Sequence, residues 1–346
     1  GRRALDAGGR ARVRGRAPHV PDQSERHPMT DTAPLPAFLE EQISAAYPGE
    51  VADRILAGLD AARERPVTLR ANALKTDADT VAGELERAGI GFARAPWYPD
   101  AFALADGVRE RDVWELDIYR DGLVYLQSLS SMLPPLALAP RAGADILDMC
   151  AAPGGKTSQI AALTGGAAHL TACEMSVPRA ERLEHNLAKL GCRNVQVMRT
   201  DARRLDEFFS FDQILLDAPC TGSGTVRAGD PRAAERITPK LLERVTRSQR
   251  ALLDRALSAL KPGGSLVYST CSVLPAENED QVERALRRHR DCEVKPIALA
   301  GADEGELGLP LLPGRVAGAL TVCPTRAFEG FFMVRIEKGA AARRRS

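Results

Sequence analysis

The strongest constraint on the fold is a regular alternation, from residue 145 onward, of apolar strand-like runs with amphipathic helix-like segments. The strand-like runs read, in order, ILDMC, HLTACE, VQVMRTD, FDQILLDAPC, SLVYSTC and CEVKPI. The longest helical segment begins after Thr238, and Pro262-Gly263-Gly264 is predicted to stop it. This alternation predicts an α/β fold with a mostly parallel, doubly wound, Rossmann-like sheet. A last run, GFFMVRIEK, follows no helix, so we expect an antiparallel strand inserted into the sheet.

Changes in composition divide the chain into four parts. Residues 1–28 are rich in Arg, Gly and Pro without hydrophobic periodicity, which predicts a disordered basic extension. That extension is either an upstream or appended stretch, a basic RNA-binding arm or an organellar transit segment. Residues 29–125 predict two short helices followed by a small α+β lobe, and residues 126–338 hold the alternating region. Residues 339–346 form a basic tail.

The overall composition excludes several classes of protein. No apolar run approaches the ~18–20 residues that a membrane-spanning helix needs. The net charge is +1, so a nucleic acid would have to be bound by a local basic face. The seven cysteines are an odd number without paired spacing, and neither they nor the five histidines show zinc-binding spacing. We therefore expect a cytoplasmic protein with free thiols, no membrane segment and no metal site.

The loop after the first strand of the alternating region is a candidate cofactor site. Asp148 ends that strand, and Gly154 and Gly155 would let the backbone approach a ligand at the start of the next helix. The loop has neither the GxGxxG spacing of dinucleotide-binding folds nor the GxxxxGK[ST] spacing of phosphate-binding loops. The next three strands also end in acidic residues, which are Glu174, Asp201 and Asp217.

These strand-end acids suit a ligand with ribose hydroxyls, an adenine edge and a cationic sulfonium. We therefore predict S-adenosylmethionine as the cofactor. The alternative is that the acids are simply solvated residues at strand ends. The expected cofactor-binding residues are Cys150, Ala151, Ala152, Pro153, Gly154, Gly155, Lys156, Glu174, Asp201 and Asp217.

Two cysteines stand at the ends of apolar runs, where Gly/Ser/Thr-rich loops begin. Cys220 lies in QILLDAPCTGSG and Cys271 lies in GGSLVYSTCSVLPAENE. Ligands of open α/β sheets bind at the carboxyl ends of the strands, so both thiols would face the ligand. We interpret them as groups for covalent chemistry at a carbon that is not nucleophilic by itself. The remaining cysteines outside the cofactor loop are interpreted as small core residues, which are Cys173, Cys192, Cys292 and Cys323.

Three motifs, DMCAAPGGKT, LLDAPCTGSGT and YSTCSVLPAENE, follow one another in this order. With them the chain resembles the Nop/Sun family of S-adenosylmethionine-dependent RNA cytosine-C5 methyltransferases, of the bacterial small-subunit type. LRANALKT at 69–76, YLQSLSS at 125–131 and PTRAFEGFF at 324–332 resemble flanking motifs of that family. The resemblance implies a Rossmann-like class I methyltransferase domain at 126–338, in a core-only version.

The resemblance also implies catalytic roles for three residues. Cys271 would be the nucleophile that adds to C6 of cytosine, which makes C5 nucleophilic. Cys220 would assist the release of the product. Asp217 would hydrogen-bond the ring N3 and the exocyclic amine as charge develops. Lys156 is expected to favour the thiolate or to contact the base.

A basic segment after the Cys220 motif is a candidate RNA-binding surface. Its expected contact residues are Arg227, Lys240, Arg244 and Arg247, of which the last three fall on one helical face. The alternative is an ordinary solvated face. This surface would be extended by Arg70 and Lys75, which belong to a lobe at 29–125 that we expect to bind RNA. It would also be extended by Arg343–Arg345. We expect the substrate to be ribosomal RNA rather than transfer RNA. The alternative from another functional class is a ribosome-assembly factor that binds RNA without catalysis. We expect the protein to be a monomer.

Overall fold

The computed structural model describes residues 35–340, so the predicted extension 1–28 and most of the basic tail lie outside the described residues. The helices of this part are α1 Ala37–Ala46, α2 Gly49–Ala61, α3 Ala78–Arg87, α4 Glu110–Trp114, α5 Asp117–Arg120, α6 Leu129–Leu138, α7 Gly155–Leu163, α8 Val177–Lys189, α9 Pro231–Arg236, α10 Pro239–Ala259 and α11 Glu279–Arg288. The strands are β1 Thr68–Ala71, β2 Phe92–Ala95, β3 Tyr98–Leu104, β4 Val124–Leu126, β5 Asp145–Asp148, β6 His169–Cys173, β7 Val195–Met198, β8 Phe211–Asp217, β9 Leu260–Thr270, β10 Cys292–Lys295, β11 Leu311–Leu312, β12 Leu320–Val322 and β13 Phe331–Lys338.

The large sheet has the predicted mostly parallel, doubly wound arrangement. Its strand order is β11-β12-β13-β9-β8-β5-β6-β7, and the strands from β9 to β7 run parallel. The last strand, β13, is antiparallel to β9 on one side and to β10 and β12 on the other. The expectation of an inserted antiparallel strand is therefore confirmed.

Side chains from successive residues of the central strands enter two different cores. In β5, Ile146 belongs to a core with Leu133 of α6 and Ile160 of α7. Its neighbour Leu147 belongs to a core on the other face, together with Leu253 of α10. Strands buried on both faces need continuous apolar sequences, which explains why these runs are recognisable without an alternating pattern.

Helix α10 begins where the sequence predicts and ends earlier. The Thr238 side chain accepts a hydrogen bond from the Leu241 backbone N–H at 3.2 Å, as an N-cap residue does. The helix ends at Ala259, before the predicted stop. Pro262-Gly263-Gly264 lies instead within β9. The prediction of that stop was therefore wrong in its position.

An N-terminal lobe is built on a second sheet, with the antiparallel order β2-β3-β1-β4. Its core contains Leu69 of β1, Leu85 of α3 and Phe102 of β3. The helices α1 and α2 pack elsewhere. Leu39 and Ile55 share a core with Val273, which lies two residues after Cys271 within the Cys271 motif.

Buried polar contacts join the N-terminal lobe to the large sheet. Arg70 is fully buried, and its guanidinium donates to Ser158 Oγ at 2.9 Å and to Gln127 Oε1 at 3.2 Å. The expectation that Arg70 contacts RNA was wrong, because its charge is used inside the protein. Lys75 donates to the Asp121 and Lys189 carbonyls at 2.8 and 2.7 Å.

No helix of the described part is both long and apolar enough to cross a membrane.

Candidate active site

The two strand-end cysteines lie side by side. Strands β8 and β9 are parallel neighbours, and Asp217 at the end of β8 is in register with Ser269 near the end of β9. The loops that follow bring Cys220 Sγ to 3.1 Å from Cys271 Sγ, and both thiols are free. The hydrogen bond to Cys271, together with burial, raises the pKa of Cys220 well above its ordinary value. Cys220 is therefore a protonated thiol next to Cys271.

A buried carboxylate holds the two cysteine loops together. Glu277 is fully buried, and it accepts hydrogen bonds from the Thr221 backbone N–H at 2.8 Å and the Thr221 hydroxyl at 2.6 Å. It also accepts from the Ser272 hydroxyl and from Gln249 Nε2, the latter at 3.2 Å. Thr221 follows Cys220 and Ser272 follows Cys271, so one carboxylate fixes the residue after each thiol.

Asp217 is held by an ion pair at the base of the cysteine loops. Lys156 Nζ lies 2.7 Å from Asp217 Oδ2 and donates to Ser131 Oγ at 2.7 Å. The Ser269 hydroxyl donates to Asp217 Oδ1 at 2.7 Å. Burial alone would lower the pKa of Lys156, but the Asp217 charge and hydrogen bond outweigh it and raise this pKa. Lys156 is thus a protonated cation beside Asp217.

The predicted cofactor loop turns sharply between β5 and α7. Gly154 has a φ of 107°, which side chains rarely allow. A Cβ at Gly155 would lie 2.8 Å from a Tyr125 ring carbon, so the helix start packs closely against β4. Asp148 accepts a hydrogen bond from Thr157 Oγ1 at 2.7 Å, while its Oδ1 is buried without a partner. Burial is the main cause that raises the pKa of Asp148 to about 6.

A cleft of about 350 Å³ lies at the carboxyl ends of β5 to β8. The buried Glu174 carboxylate accepts a hydrogen bond from the Ser176 backbone N–H at 2.8 Å. Asp201 lies three residues beyond β7, which ends at Met198, and it pairs with Arg203 at 2.7 Å. Glu174 and Asp201 both line this cleft.

A second cavity of about 610 Å³ lies beside this cleft. Every predicted cofactor residue except Gly154 lines one of the two spaces. The walls that both spaces share are formed by Cys150, Ala152, Asp217 and Cys271. A ligand in each space would therefore meet the other at Asp217 and Cys271.

The structure separates the four predicted RNA-contact residues. Arg227 is exposed and lines the larger cavity. The other three, on α10, are exposed but line neither space, and they are Lys240, Arg244 and Arg247. Arg247 pairs with Glu243 on its own helix.

Sequence reasoning missed several residues that build the site. Glu277 and Gln249 support the cysteine loops, and Ser131 and Ser269 hold the Asp217 pair. The AENE sequence after Cys271 places a carboxylate beside a strand end, which was the available signal for Glu277. Among the residues that the structure describes, no three His, Cys, Asp or Glu side chains are grouped as around a metal ion.

A sequence model of a family described as 16S rRNA methyltransferase RsmB/F matches residues 135–337, more than half of the chain. The chain belongs to this family. A second RsmB/F model, described as a Methyltr_RsmF/B-like, ferredoxin-like domain, matches residues 35–109. The family predicted from the three motifs is thereby confirmed.

Relatives within the RsmB/F family and a solved structure are similar over most of this chain. A ribosomal RNA small subunit methyltransferase F of Shewanella amazonensis is 37% identical, covering 80% of this chain and 59% of that protein. The one from Serratia proteamaculans is 35% identical, covering 88% and 63%. A methyltransferase homologue from Pyrococcus horikoshii, a crystal structure, has a TM-score of 0.73 at 33% identity, covering 86% and 93%. The chain thus spans less than two thirds of the curated relatives' length.

Proposed function

We propose that this chain transfers a methyl group from S-adenosylmethionine to carbon 5 of a cytosine in small-subunit ribosomal RNA. The main support for this proposal is that two cavities large enough for ligands share a wall that includes Cys271 and Asp217. Membership of the RsmB/F family and the names of the relatives support the reaction and the RNA class.

The residues of the smaller cleft fit the proposed cofactor. The buried Glu174 carboxylate is assigned to the ribose hydroxyls, and Asp201, on the wall of the same cleft, is assigned to the adenine edge. When bound, S-adenosylmethionine supplies an electrophilic methyl group on a sulfonium. The wall shared by the two spaces, which includes Cys271 and Asp217, supports the assignment of the methyl acceptor to this position.

Cys271 acts as the nucleophile in this proposal. Its Sγ adds to C6 of the cytosine, and the electron pair moves toward C5, which then attacks the methyl carbon. Asp217, oriented by Lys156 and Ser269, holds N3 and the exocyclic amine as the ring charge changes. Because Lys156 is protonated, it also offsets negative charge that develops on the ring.

Cys220 acts in the release step. As a thiol it donates its S–H toward Cys271 Sγ, which supports the nucleophile before attack. In the release step the Cys220 thiol first gives its own proton to solvent, and the resulting thiolate takes the C5 proton of the methylated ring. The electrons of that C–H bond re-form the C5–C6 double bond and expel Cys271 as a thiolate, which restores both cysteines. The 3.1 Å between the two sulfur atoms lets both act on one base.

Methylation of purified RNA tests the proposal. The protein is incubated with S-adenosylmethionine and, separately, with 16S ribosomal RNA, assembled small subunits and bulk transfer RNA, and nucleosides are analysed by mass spectrometry. We expect 5-methylcytidine in the ribosomal substrate and none with Cys271→Ala. A methyl group on another atom, transfer RNA as the preferred substrate, or full activity of Cys271→Ala would overturn the corresponding part of the proposal.

A further inference from the structure

The larger cavity contains a guanidinium whose hydrogen-bonding capacity is not filled. Arg65 lies just before β1, and its side chain is only 5% exposed. One nitrogen, Nη2, donates to the Phe328 carbonyl at 3.2 Å. Nη1 lies 3.5 Å from Glu329 Oε1, and neither Nη1 nor Nε has a hydrogen-bond partner. A buried charged donor without partners is costly, and a ligand that completes its hydrogen bonding would remove this cost.

A second guanidinium lines the same cavity. Arg227 is exposed and has no ion-pair partner within residues 35–340. Burial is the main cause that lowers the pKa of Arg65, and the positive charge of Arg227 lowers it further. Glu329 opposes these two positive charges, but its carboxylate also accepts a hydrogen bond from Ser128 Oγ at 2.7 Å. The pair of arginines therefore keeps excess positive charge.

We infer that Arg65 and Arg227 hold a backbone phosphate of the target nucleotide, so that the cavity selects a polynucleotide over a free base or nucleoside. Guanidinium groups match phosphate oxygens with paired N–H donors, and such charge-assisted hydrogen bonds are strong. The same cavity is lined by Cys271, so a phosphate at its arginines belongs to the nucleotide whose base reaches the thiol. This inference rests on the proposed function and assigns its nucleotide-positioning residues.

The carboxylates elsewhere in the cavity leave the arginine pair available. Asp217 is neutralised by Lys156 at 2.7 Å. Asp148 has a pKa raised to about 6, mainly by burial, and its Thr157 hydrogen bond lies on the cofactor-loop side. Glu110 is exposed at the rim. The phosphate position is therefore next to Arg65 and Arg227.

Binding of a modified RNA tests this inference without requiring methyl transfer. The probe is a fluorescent single-stranded oligonucleotide with one cytidine, either unmodified or with an uncharged methylphosphonate on one side of that cytidine. We expect one of the two methylphosphonates to weaken wild-type binding about ten-fold, as the loss of one charged hydrogen-bond pair does. Arg227→Gln should weaken binding of unmodified RNA by a similar factor and show no further loss with that methylphosphonate.

Two further variants separate binding from folding. Arg65→Lys keeps the buried charge but loses the fork of donors, so it should weaken binding of unmodified RNA about as much as Arg227→Gln does, while its unfolding temperature stays that of the wild type. Arg193→Gln removes an exposed arginine at the amino ends of the strands and should bind like the wild type. The slope of log affinity against log salt should fall by about one for Arg227→Gln only.

The outcomes distinguish this inference from the proposed function. The phosphate assignment is overturned if Arg227→Gln binds unmodified RNA with wild-type affinity. It is also overturned if both methylphosphonates weaken the binding of Arg227→Gln equally. Neither outcome contradicts the proposed methylation. If the wild type binds RNA in this arginine-dependent way but forms no 5-methylcytidine, the proposed reaction fails and the phosphate site stands.

Discussion

The Glu277 carboxylate offers the sharpest test of how the cysteine pair is held. The change Glu277→Gln keeps the shape of the side chain and removes the charge that four donors share. A hydrogen bond to a charged group contributes about 1.5–3 kcal/mol, against about 0.5–1.5 kcal/mol for a neutral pair. Four such exchanges, allowing for non-additivity, predict a loss of about 2–4 kcal/mol in the free energy of unfolding.

The assay combines stability with turnover. A loss of this size lowers the Tm by about 3–6 °C for a domain of this size, which calorimetry measures. At temperatures where the variant stays folded, kcat for methyl transfer should fall about 10- to 100-fold, because the thiols lose their fixed spacing. This second readout separates positioning of the thiols from a merely structural role.

Glu279 provides a matched control in the same motif. It is also buried, but its Oε2 has no hydrogen-bond partner, and burial is the main cause that raises its pKa. A raised carboxyl pKa stabilises the fold only at low pH, and this contribution is lost as pH rises through the folded pKa. Glu279→Gln should therefore match or exceed wild-type stability at neutral pH. Wild-type Tm and kcat in Glu277→Gln would refute the reasoning.

Three further predictions concern the neighbouring groups. Because the pKa of Asp148 is raised to about 6, the free energy of unfolding should fall as pH rises from about 4 to 6. Urea titrations of Asp148→Asn should show no such pH dependence. Lys156→Met leaves Asp217 unpaired, so single-turnover methyl transfer should slow at least about ten-fold while RNA affinity, measured by anisotropy, is retained. In Gly224→Ala the new Cβ would lie 2.0 Å from the Gly330 carbonyl oxygen. The free energy of unfolding, measured by calorimetry, should therefore drop by about 2 kcal/mol or more. Gly49→Ala is the control and should leave stability unchanged, because a Cβ at Gly49 has no atom within 4 Å.

The sequence predicted the large sheet because its central strands are buried on both faces. Apolar runs such as ILLD in β8 and LVY in β9 are recognisable from composition alone. It also predicted that Cys220 and Cys271 would lie at the same edge of the sheet. The two sulfur atoms lie 3.1 Å apart because β8 and β9 are adjacent in the sheet. Local sequence patterns do not predict strand order, so this distance could not be predicted from the sequence.

Contacts between distant segments account for what the sequence did not reveal. Arg70 sits in a basic, strand-like motif that suggested an RNA contact, but its partner Ser158 lies 88 residues away. Glu277 binds Thr221 from 56 residues away, so no local spacing identifies it as the link between the thiol loops. Arg65 is likewise placed by the fold, because Phe328 and Glu329 reach it from the other end of the chain.

A covalent complex between enzyme and RNA tests the central claim most directly. Cys220→Ala should still allow Cys271 to attack the base but not allow release, so a protein–RNA adduct should accumulate with S-adenosylmethionine. Mass spectrometry of the digested adduct should place the bond on Cys271, and the double variant with Cys271→Ala should form none. Absence of any adduct from Cys220→Ala, or an adduct on another residue, would contradict the assignment of Cys271 as nucleophile and Cys220 as the releasing thiol.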